Sequence, residues 1–257
     1  MKIFFDGGGD PGKTPDRIIL AGIAANDDNW KDIEDNWLGI LQLGNPKADY
    51  MHMNEAIQLK REFDPAKGWN ETNVAELLNG GLLSYLTTLD KEKYCQFACT
   101  VDMAAYRKLL DENYQLEAPA GICLNSCVDR IMEWYFHEYH AACELESHYY
   151  FDQSEPFEDI FKARWTRELQ SAERTGVPSR WHHVTHAGPV IMRKTPGLQV
   201  ADMLAWAFNR EAASPNKSYS TFAITLKALM ATKWIEWDED LLKKYYRPLI
   251  YKPYGQY

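Results

Sequence analysis

Four acidic residues stand in contexts that suit metal chemistry: Asp6, Glu55, Asp152 and Asp202. Asp6 and Asp152 each follow a short apolar segment, Lys2-Ile-Phe-Phe and His148-Tyr-Tyr-Phe, of the kind that forms β-strands. Carboxylates at the ends of neighbouring parallel strands lie roughly 5 Å apart, close enough to share a metal ion. Taken alone, Asp6 fits an ordinary turn aspartate as well as it fits a metal ligand.

Asp202 has the more unusual setting, because it interrupts the apolar helical segment Val200-Ala-Asp-Met-Leu204. A carboxylate on such a helix face is costly to desolvate unless it is paired or binds a cation. Asp202 is therefore a candidate ligand. The alternative is that it points to solvent or caps a local turn after Pro196 and Gly197.

The apolar periodicity around these acids predicts one elaborated α/β domain over residues 1–257, with no linker or repeat. Strands are predicted at residues 1–6, 17–25, 94–101 and 147–152, with strand-like pieces at 181–185 and 190–193. Helices are predicted at residues 29–43, 74–89, 121–143, 157–174 and 198–213, followed by one or two more after residue 221. The run Asp27, Asp28 and Asn29 supplies N-caps for the first helix.

Several of these stretches together resemble a known family, domain of unknown function 3800, which is regarded as ribonuclease H-like. The stretches are Phe4-Phe-Asp-Gly-Gly-Gly-Asp10, Met51-His-Met-Asn-Glu-Ala56, Tyr149-Tyr-Phe-Asp152 and Gly197-Leu-Gln-Val-Ala-Asp-Met-Leu-Ala205. The resemblance covers residues 2 to about 210 and leaves 211–257 as a helical C-terminal extension. It implies a ribonuclease H-like mixed sheet flanked by helices, with helical insertions.

The resemblance also implies a site and a reaction. Two Mg²⁺ or Mn²⁺ ions about 4 Å apart would serve a nuclease that hydrolyses the phosphodiester bonds of RNA, DNA or a hybrid. The implied catalytic ligands are Asp6, Glu55, Asp152 and Asp202. Candidates for residues that support these ligands are His52, Asp10 and Gln199.

The sequence departs from the family at the first acid. The family usually has Asp-Glu-Ser-Gly there, whereas this chain has Asp6-Gly-Gly-Gly9. Because the two polar side chains are missing, a second interpretation stays open, in which the domain binds nucleic acid or another partner without catalysis.

A third interpretation comes from Gly7-Gly-Gly-Asp-Pro-Gly-Lys-Thr14, which matches the phosphate-binding loop of P-loop nucleotide hydrolases and follows a predicted strand. A P-loop opens directly into a helix, yet residues 18–23 are strand-like. Asp6 and Asp10 would place negative charge beside the phosphates, and the Asp202 helix would have no role. These features favour the metal-site interpretation.

Two groups of potential zinc ligands match the usual motifs poorly. His182 and His186 would share a helix face, but the predicted strand there favours structural histidines, one of which could approach the acids as a proton shuttle. The cysteines have CxxxC spacing and no export signal precedes them, which favours buried, reduced thiols. They are Cys95, Cys99, Cys123, Cys127 and Cys143.

A formal net charge of −9 and a pI near 5.3 count against a broad basic surface for nucleic acid. A local basic strip could still guide a phosphate backbone, and its candidates are Arg180, Arg193, Lys194, Lys243, Lys244 and Arg247. No apolar run approaches the roughly 20 residues of a membrane helix, and residues 1–15 lack a secretory apolar core. We therefore expect a cytoplasmic protein with no membrane contact.

Overall fold

The structure, a computed structural model, describes residues 1–8, 16–90, 92–139, 146–153, 156–177, 179, 181–209, 217–229 and 234–248. These residues form an α/β fold with a six-stranded mixed sheet flanked by helices. The strands are β1 (Lys2–Gly8), β2 (Arg17–Ala25), β3 (Tyr94–Asp102), β4 (Ser147–Asp152), β5 (Val184–Val190) and β6 (Trp234–Trp237). The helices are α1 (Asp27–Leu43), α2 (Met53–Ile57), α3 (Glu71–Glu76), α4 (Ser84–Thr88), α5 (Met103–Asp111), α6 (Pro119–Tyr139), α7 (Pro156–Thr175), α8 (Pro196–Asn209), α9 (Lys217–Leu229) and α10 (Glu239–Tyr245).

The sheet has the strand order β5-β4-β1-β2-β3-β6. The first three strands form an antiparallel meander, and β4 and β5 then add in parallel on the free side of β1. Strand β6 pairs in parallel with β3 at the opposite edge. Helices cover both faces of the sheet, and in the central strand β2 every residue after Arg17 is therefore buried.

Each face of the sheet has its own core. One core packs α1, α8, α9 and the segment from α2 to α4 against the face that carries Phe4. The other packs α5, α6, α7 and α10 against the face that carries Phe5. Since side chains alternate along a strand, Asp6 belongs to the same face as Phe4 and therefore to the side covered by α8.

Two glycines allow close approaches that place α8 and the central strands. A Cβ on Gly22 of β2 would lie 2.1 Å from the backbone oxygen of Phe4. A Cβ on Gly197, at the start of α8, would lie 2.4 Å from the ring of Phe4. Only glycine fits at these positions, so the helix packs directly on β1.

The observed elements follow most of the predicted ones, with some corrections. The N-cap of α1 is Asn26, whose side chain accepts from the backbone N–H of Asn29, and not the predicted run from Asp27. The region predicted as one helix at 74–89 contains a π-helical segment, Leu77–Leu83, between α3 and α4. Residues 181–183 form a turn where a strand was predicted, and β5 follows them.

The C-terminal region differs from the helical extension that was expected. Helices α9 and α10 are present, but strand β6 lies between them and joins the sheet beside β3. Helix α5 was also not predicted. None of the helices in the described ranges is long and apolar enough to cross a membrane.

Candidate functional site

Asp6 and Asp152 lie side by side where the pairing of two parallel strands ends. Phe5 of β1 is opposite Phe151 of β4, so each aspartate is the next residue on its strand. Neighbouring strands lie about 4.8 Å apart, which sets the separation of the two backbones. Both aspartates share a sheet face with Phe4 and Tyr150, whose stacked ring centroids are 5.1 Å apart.

Helix α8 brings Asp202 to the same face. It runs along β1, with Gly197 against Phe4 near its start and Asn209 against Gly8 at its end. Its residues from Pro196 to Phe208 are all buried, because the sheet lies on one side and α1, α2 and α9 lie on the others. Asp202 is only 6% exposed, so the alternative of a solvent-facing side chain is wrong.

Asp6, Asp152 and Asp202 line one polar cavity of about 350 Å³. This volume is near the lower end of the range of roughly 300–1,000 Å³ that small-molecule sites occupy. The other residues that line it are Gly7, Gly8, His52, Asn54, Met192, Ala205, Trp206 and Asn209. We call this space the acidic cavity.

The charge on Asp202 is held at an energetic cost. The pKa of Asp202 is raised to about 6, mainly by burial, with smaller contributions from the carboxylates of Asp152 and Glu55. His52 and a hydrogen bond from the backbone N–H of Met53 oppose that rise. A buried carboxylate surrounded by like charges is the arrangement expected where a cation or a proton is to be bound.

Helix α2 connects this carboxylate to the wall of the cavity. The N–H of Met53, the first residue of α2, donates to Asp202 Oδ2 at 2.6 Å. The N-cap is His52, whose Nδ1 accepts from the N–H of Glu55 at 3.4 Å. The predicted supporting residue His52 therefore lines the acidic cavity and fixes the start of α2.

Gln199 supports the site from one turn earlier in α8. Its Oε1 accepts from Trp37 Nε1 at 2.8 Å and from the N–H of Met51 at 2.9 Å, and its Nε2 donates to the carbonyl of Met192 at 3.1 Å. The N–H of Met192 in turn donates to Asp152 Oδ1 at 3.3 Å. Gln199 thus joins the segment that leads to His52 with the turn that binds Asp152.

Glu55 lies beside the acidic cavity and does not line it. Its Oε2 accepts from Tyr50 at 2.5 Å and its Oε1 from Arg61 at 2.8 Å, with Arg193 at 3.6 Å. Burial alone would raise the pKa of Glu55, but the hydrogen bonds from Tyr50 and Arg61 outweigh it and hold that pKa below its ordinary value. The predicted fourth ligand is thus an ionised partner of two arginines.

The P-loop interpretation finds little support in the described residues. Gly7 and Gly8 belong to β1 and pair with Leu20 and Ile19 of an antiparallel neighbour, whereas a P-loop leads into a helix. Residues 9–15, which include Asp10 and the lysine of the motif, lie outside the described residues.

The histidines after β4 occupy structural positions. Nε2 of the buried His183 lies 3.1 Å from the hydroxyl of Tyr149, and His182 Nδ1 contacts the carbonyl of Ser179. His186 lies on β5, with its ring centroid 5.8 Å from that of His148. None of these histidines lines the acidic cavity among the described residues; His52 is the one that does.

Among the basic candidates that the structure describes, Arg193 and Lys194 follow the cavity-lining Met192 in one short turn. The group of Lys243, Lys244 and Arg247 belongs to α10 and the residues after it, and α10 packs on the opposite face of the sheet. Arg180 lies outside the described residues.

Four of the cysteines are buried free thiols, as expected from their spacing. Burial raises the pKa of both Cys123 and Cys127. The four are Cys95, Cys99, Cys123 and Cys127, while Cys143 lies outside the described residues.

Sequence reasoning did not assign five residues to the cavity wall: Asn54, Met192, Ala205, Trp206 and Asn209. Trp206 and Asn209 lie four and seven positions after Asp202, so helical spacing places both on the same face of α8 as Asp202. That spacing was a usable signal. Asn54 gave none apart from its place next to Glu55.

Fold and site together define an α/β protein with a polar cavity of three aspartates at the end of two parallel strands. Within the described part of the chain, no group of three or more His, Cys, Asp or Glu side chains is arranged to hold a metal ion. Comparison of the chain with protein families, with curated proteins and with solved structures gave no match. The family resemblance drawn from the sequence therefore stays a prediction.

Proposed function

We propose that this protein is a divalent-metal-dependent hydrolase that cleaves phosphodiester bonds in nucleic acid. The observation that carries the proposal is the convergence of Asp6, Asp152 and Asp202, from three separate elements, on one polar cavity. Asp202 is the most informative of them, because a nearly buried carboxylate beside like charges is expensive to maintain without a bound cation.

The topology supports the finer assignment of a ribonuclease H-like domain. The six-stranded mixed sheet, with helices on both faces, agrees with the sheet that the resemblance implies. The cavity at the ends of β1 and β4 is also where the resemblance to domain of unknown function 3800 would place its acids.

The donor set fits a hard cation such as Mg²⁺ or Mn²⁺, since carboxylate oxygens dominate it and thiols are absent from the cavity wall that the described residues form. We assign the metal to Asp6, Asp152 and Asp202 and leave Glu55 with its arginines. The N–H of Met192 donates to Oδ1 of Asp152, and the N–H of Met53 donates to Oδ2 of Asp202. When bound, the metal would supply an activated water and neutralise charge on the phosphate.

Other residues at the site hold this arrangement in place. Met53 and Met192 fix the orientation of Asp202 and Asp152 through their backbone N–H groups. With Nδ1 of His52 accepting from Glu55, a neutral imidazole carries its proton on Nε2. His52 can therefore donate a hydrogen bond from Nε2 to a group bound in the acidic cavity.

A cleavage assay tests the proposal. Wild type should cut a labelled substrate with Mg²⁺ or Mn²⁺ and lose this activity in EDTA. The substrates to test are single-stranded RNA, single-stranded DNA and an RNA–DNA hybrid duplex. Asp152→Asn and Asp202→Asn should each lower the rate at least about a hundredfold, as expected for lost charge stabilisation. The matched control is Asp35→Asn, an exposed aspartate on α1 that should keep the wild-type rate. Equal cleavage by all four proteins would refute the assignment.

A second candidate function is a module that binds nucleic acid without cleaving it. The observation in its favour is that Gly7 and Gly8 line the acidic cavity where the family usually has Glu and Ser. This alternative predicts that wild type binds the labelled strand and releases it to an unlabelled competitor. It also predicts that wild type cleaves none of the three substrates with either metal.

A further inference from the structure

Two arginines project their guanidinium groups onto one nearly buried carboxylate beside the acidic cavity. Arg61 Nη1 lies 2.8 Å and Arg193 Nη2 lies 3.6 Å from Glu55 Oε1. The side chain of Glu55 is 9% exposed, whereas those of Arg61 and Arg193 are 69% and 52% exposed. The carboxylate is therefore sequestered while both cations face solvent.

Further contacts and an unusual backbone conformation hold this cluster of Glu55, Arg61 and Arg193 in place. The Tyr50 hydroxyl donates to Glu55, and the guanidinium of Arg193 lies over the Tyr50 ring at 4.9 Å from its centroid. Leu59 and Arg61 have φ angles of 50° and 51°, in the left-handed region that side chains other than glycine rarely adopt. Such backbone strain persists only where the surrounding structure maintains it, and it clusters at ligand-binding sites.

The charges do not balance within the cluster. Two guanidinium groups face one ionised carboxylate, because hydrogen bonds hold the pKa of Glu55 below its ordinary value. One positive charge is left over, together with guanidinium N–H donors on two exposed side chains. Paired guanidinium forks of this kind match the geometry of a phosphate group.

We propose that Arg61 and Arg193 form a phosphate-binding site in which Glu55 and Tyr50 are positioning residues. The ligand is a phosphate group, and its assignment to a nucleic-acid strand rests on the proposed function. Glu55 orients both guanidinium groups in the absence of ligand, which lowers the entropy cost of binding.

The location of the pair fits a strand that enters the acidic cavity. Arg193 follows Met192, which lines the cavity and binds Asp152. Glu55 lies on α2, the helix that begins at the Met53–Asp202 hydrogen bond. A phosphate held by the two arginines would therefore belong to a nucleotide next to the one in the cavity. The positive charges of Arg61 and Arg193 would also offset the repulsion between the strand and the aspartates.

Calorimetric titration in EDTA separates this site from the metal chemistry. The probes are inorganic phosphate and a short oligothymidylate, which distinguish a free phosphate from the phosphodiester of a strand. Arg61→Gln and Arg193→Gln should each weaken binding at least about fivefold, and the double variant should lose it. For the oligothymidylate, each should also reduce the slope of log affinity against log salt by roughly 0.7. Arg61→Lys should bind both probes with an affinity between those of wild type and Arg61→Gln. Lysine keeps the positive charge but lacks the planar pair of N–H donors.

The matched control is Arg174→Gln, an exposed arginine at the end of α7 on the other face of the sheet. It should bind both probes as wild type does. Wild type that binds neither probe, or binding unchanged in Arg61→Gln and Arg193→Gln, would overturn the site. Anion binding that depends on the arginines in a protein without metal-dependent cleavage would keep this site and reject the proposed hydrolase.

Discussion

Asp202 shows how strongly one residue can constrain the interpretation of this protein. It occupies the most buried helix described, accepts a hydrogen bond from Met53 and lies near two other carboxylates. A purely structural role would be filled at lower cost by asparagine, which accepts the same hydrogen bond without a charge. The carboxylate is therefore explained best by a ligand that needs it.

The raised pKa of Asp202 predicts a pH-dependent effect on stability. The folded-state pKa is about 6 and the ordinary value is 3.8, so the folded protein holds the proton more tightly between these values. Stability from this group is fully present below 3.8 and is lost as the pH rises through about 6. We expect Asp202→Asn, in EDTA at about pH 7, to raise the free energy of unfolding by roughly 1–3 kcal/mol.

Urea denaturation at about pH 7 and about pH 4 measures this difference. The gain should shrink towards zero at the lower pH, because Asp202 is then largely protonated in the folded wild type. Asp35→Asn, on an exposed surface, should show no such pH-dependent gain. A variant at Asp202 that is less stable than wild type at about pH 7 would contradict the account of a costly buried charge.

At the scale of elements, α8 determines the geometry of the site. It packs on β1 and β2, supplies Asp202 and Gln199, and carries Trp206 and Asn209 to the cavity wall. Its close approach to β1 depends on Gly197, where a Cβ would meet the Phe4 ring. A small shift of this helix would therefore move Asp202 relative to Asp6 and Asp152.

Replacing Gly197 with alanine tests that packing. The added Cβ would lie 2.4 Å from a ring in the core, so we expect Gly197→Ala to destabilise the protein by about 2 kcal/mol. Gly39→Ala in α1 is the control, since its Cβ would meet nothing within 4 Å, and it should be neutral or stabilising by up to about 1 kcal/mol. Thermal denaturation compares the two. Equal stability of Gly197→Ala and wild type would mean that α8 does not depend on this contact.

The sequence predicted the elements of the site better than their mutual contacts. Strands β1 and β4 were recognisable because each apolar run reaches an aspartate, and α8 because of its apolar face. Strand β6 is four residues long and depends on pairing with the distant β3, which no local pattern encodes. The contact of Glu55 with Arg193 could not be predicted for a related reason, since the two residues are far apart in the sequence and meet only in the folded chain.

At the scale of the whole molecule, charge is arranged unevenly around the cavity. The net charge of −9 opposes approach of a polyanion, and the three aspartates add to that repulsion locally. The exposed guanidinium groups of Arg61 and Arg193 provide positive charge next to the cavity, while the lysines of α10 lie across the sheet. Binding of a strand to this protein should therefore depend on the two arginines, and a bound metal ion should strengthen it.

The central claim is that Asp6, Asp152 and Asp202 bind a divalent cation. The most direct measurement is a crystal structure of wild type grown with Mn²⁺, with anomalous diffraction used to locate the metal. Our account predicts an anomalous peak in the acidic cavity, coordinated by oxygens of the three aspartates and absent in Asp202→Asn. No peak in that cavity at saturating Mn²⁺, or a peak that persists unchanged in Asp202→Asn, would contradict it.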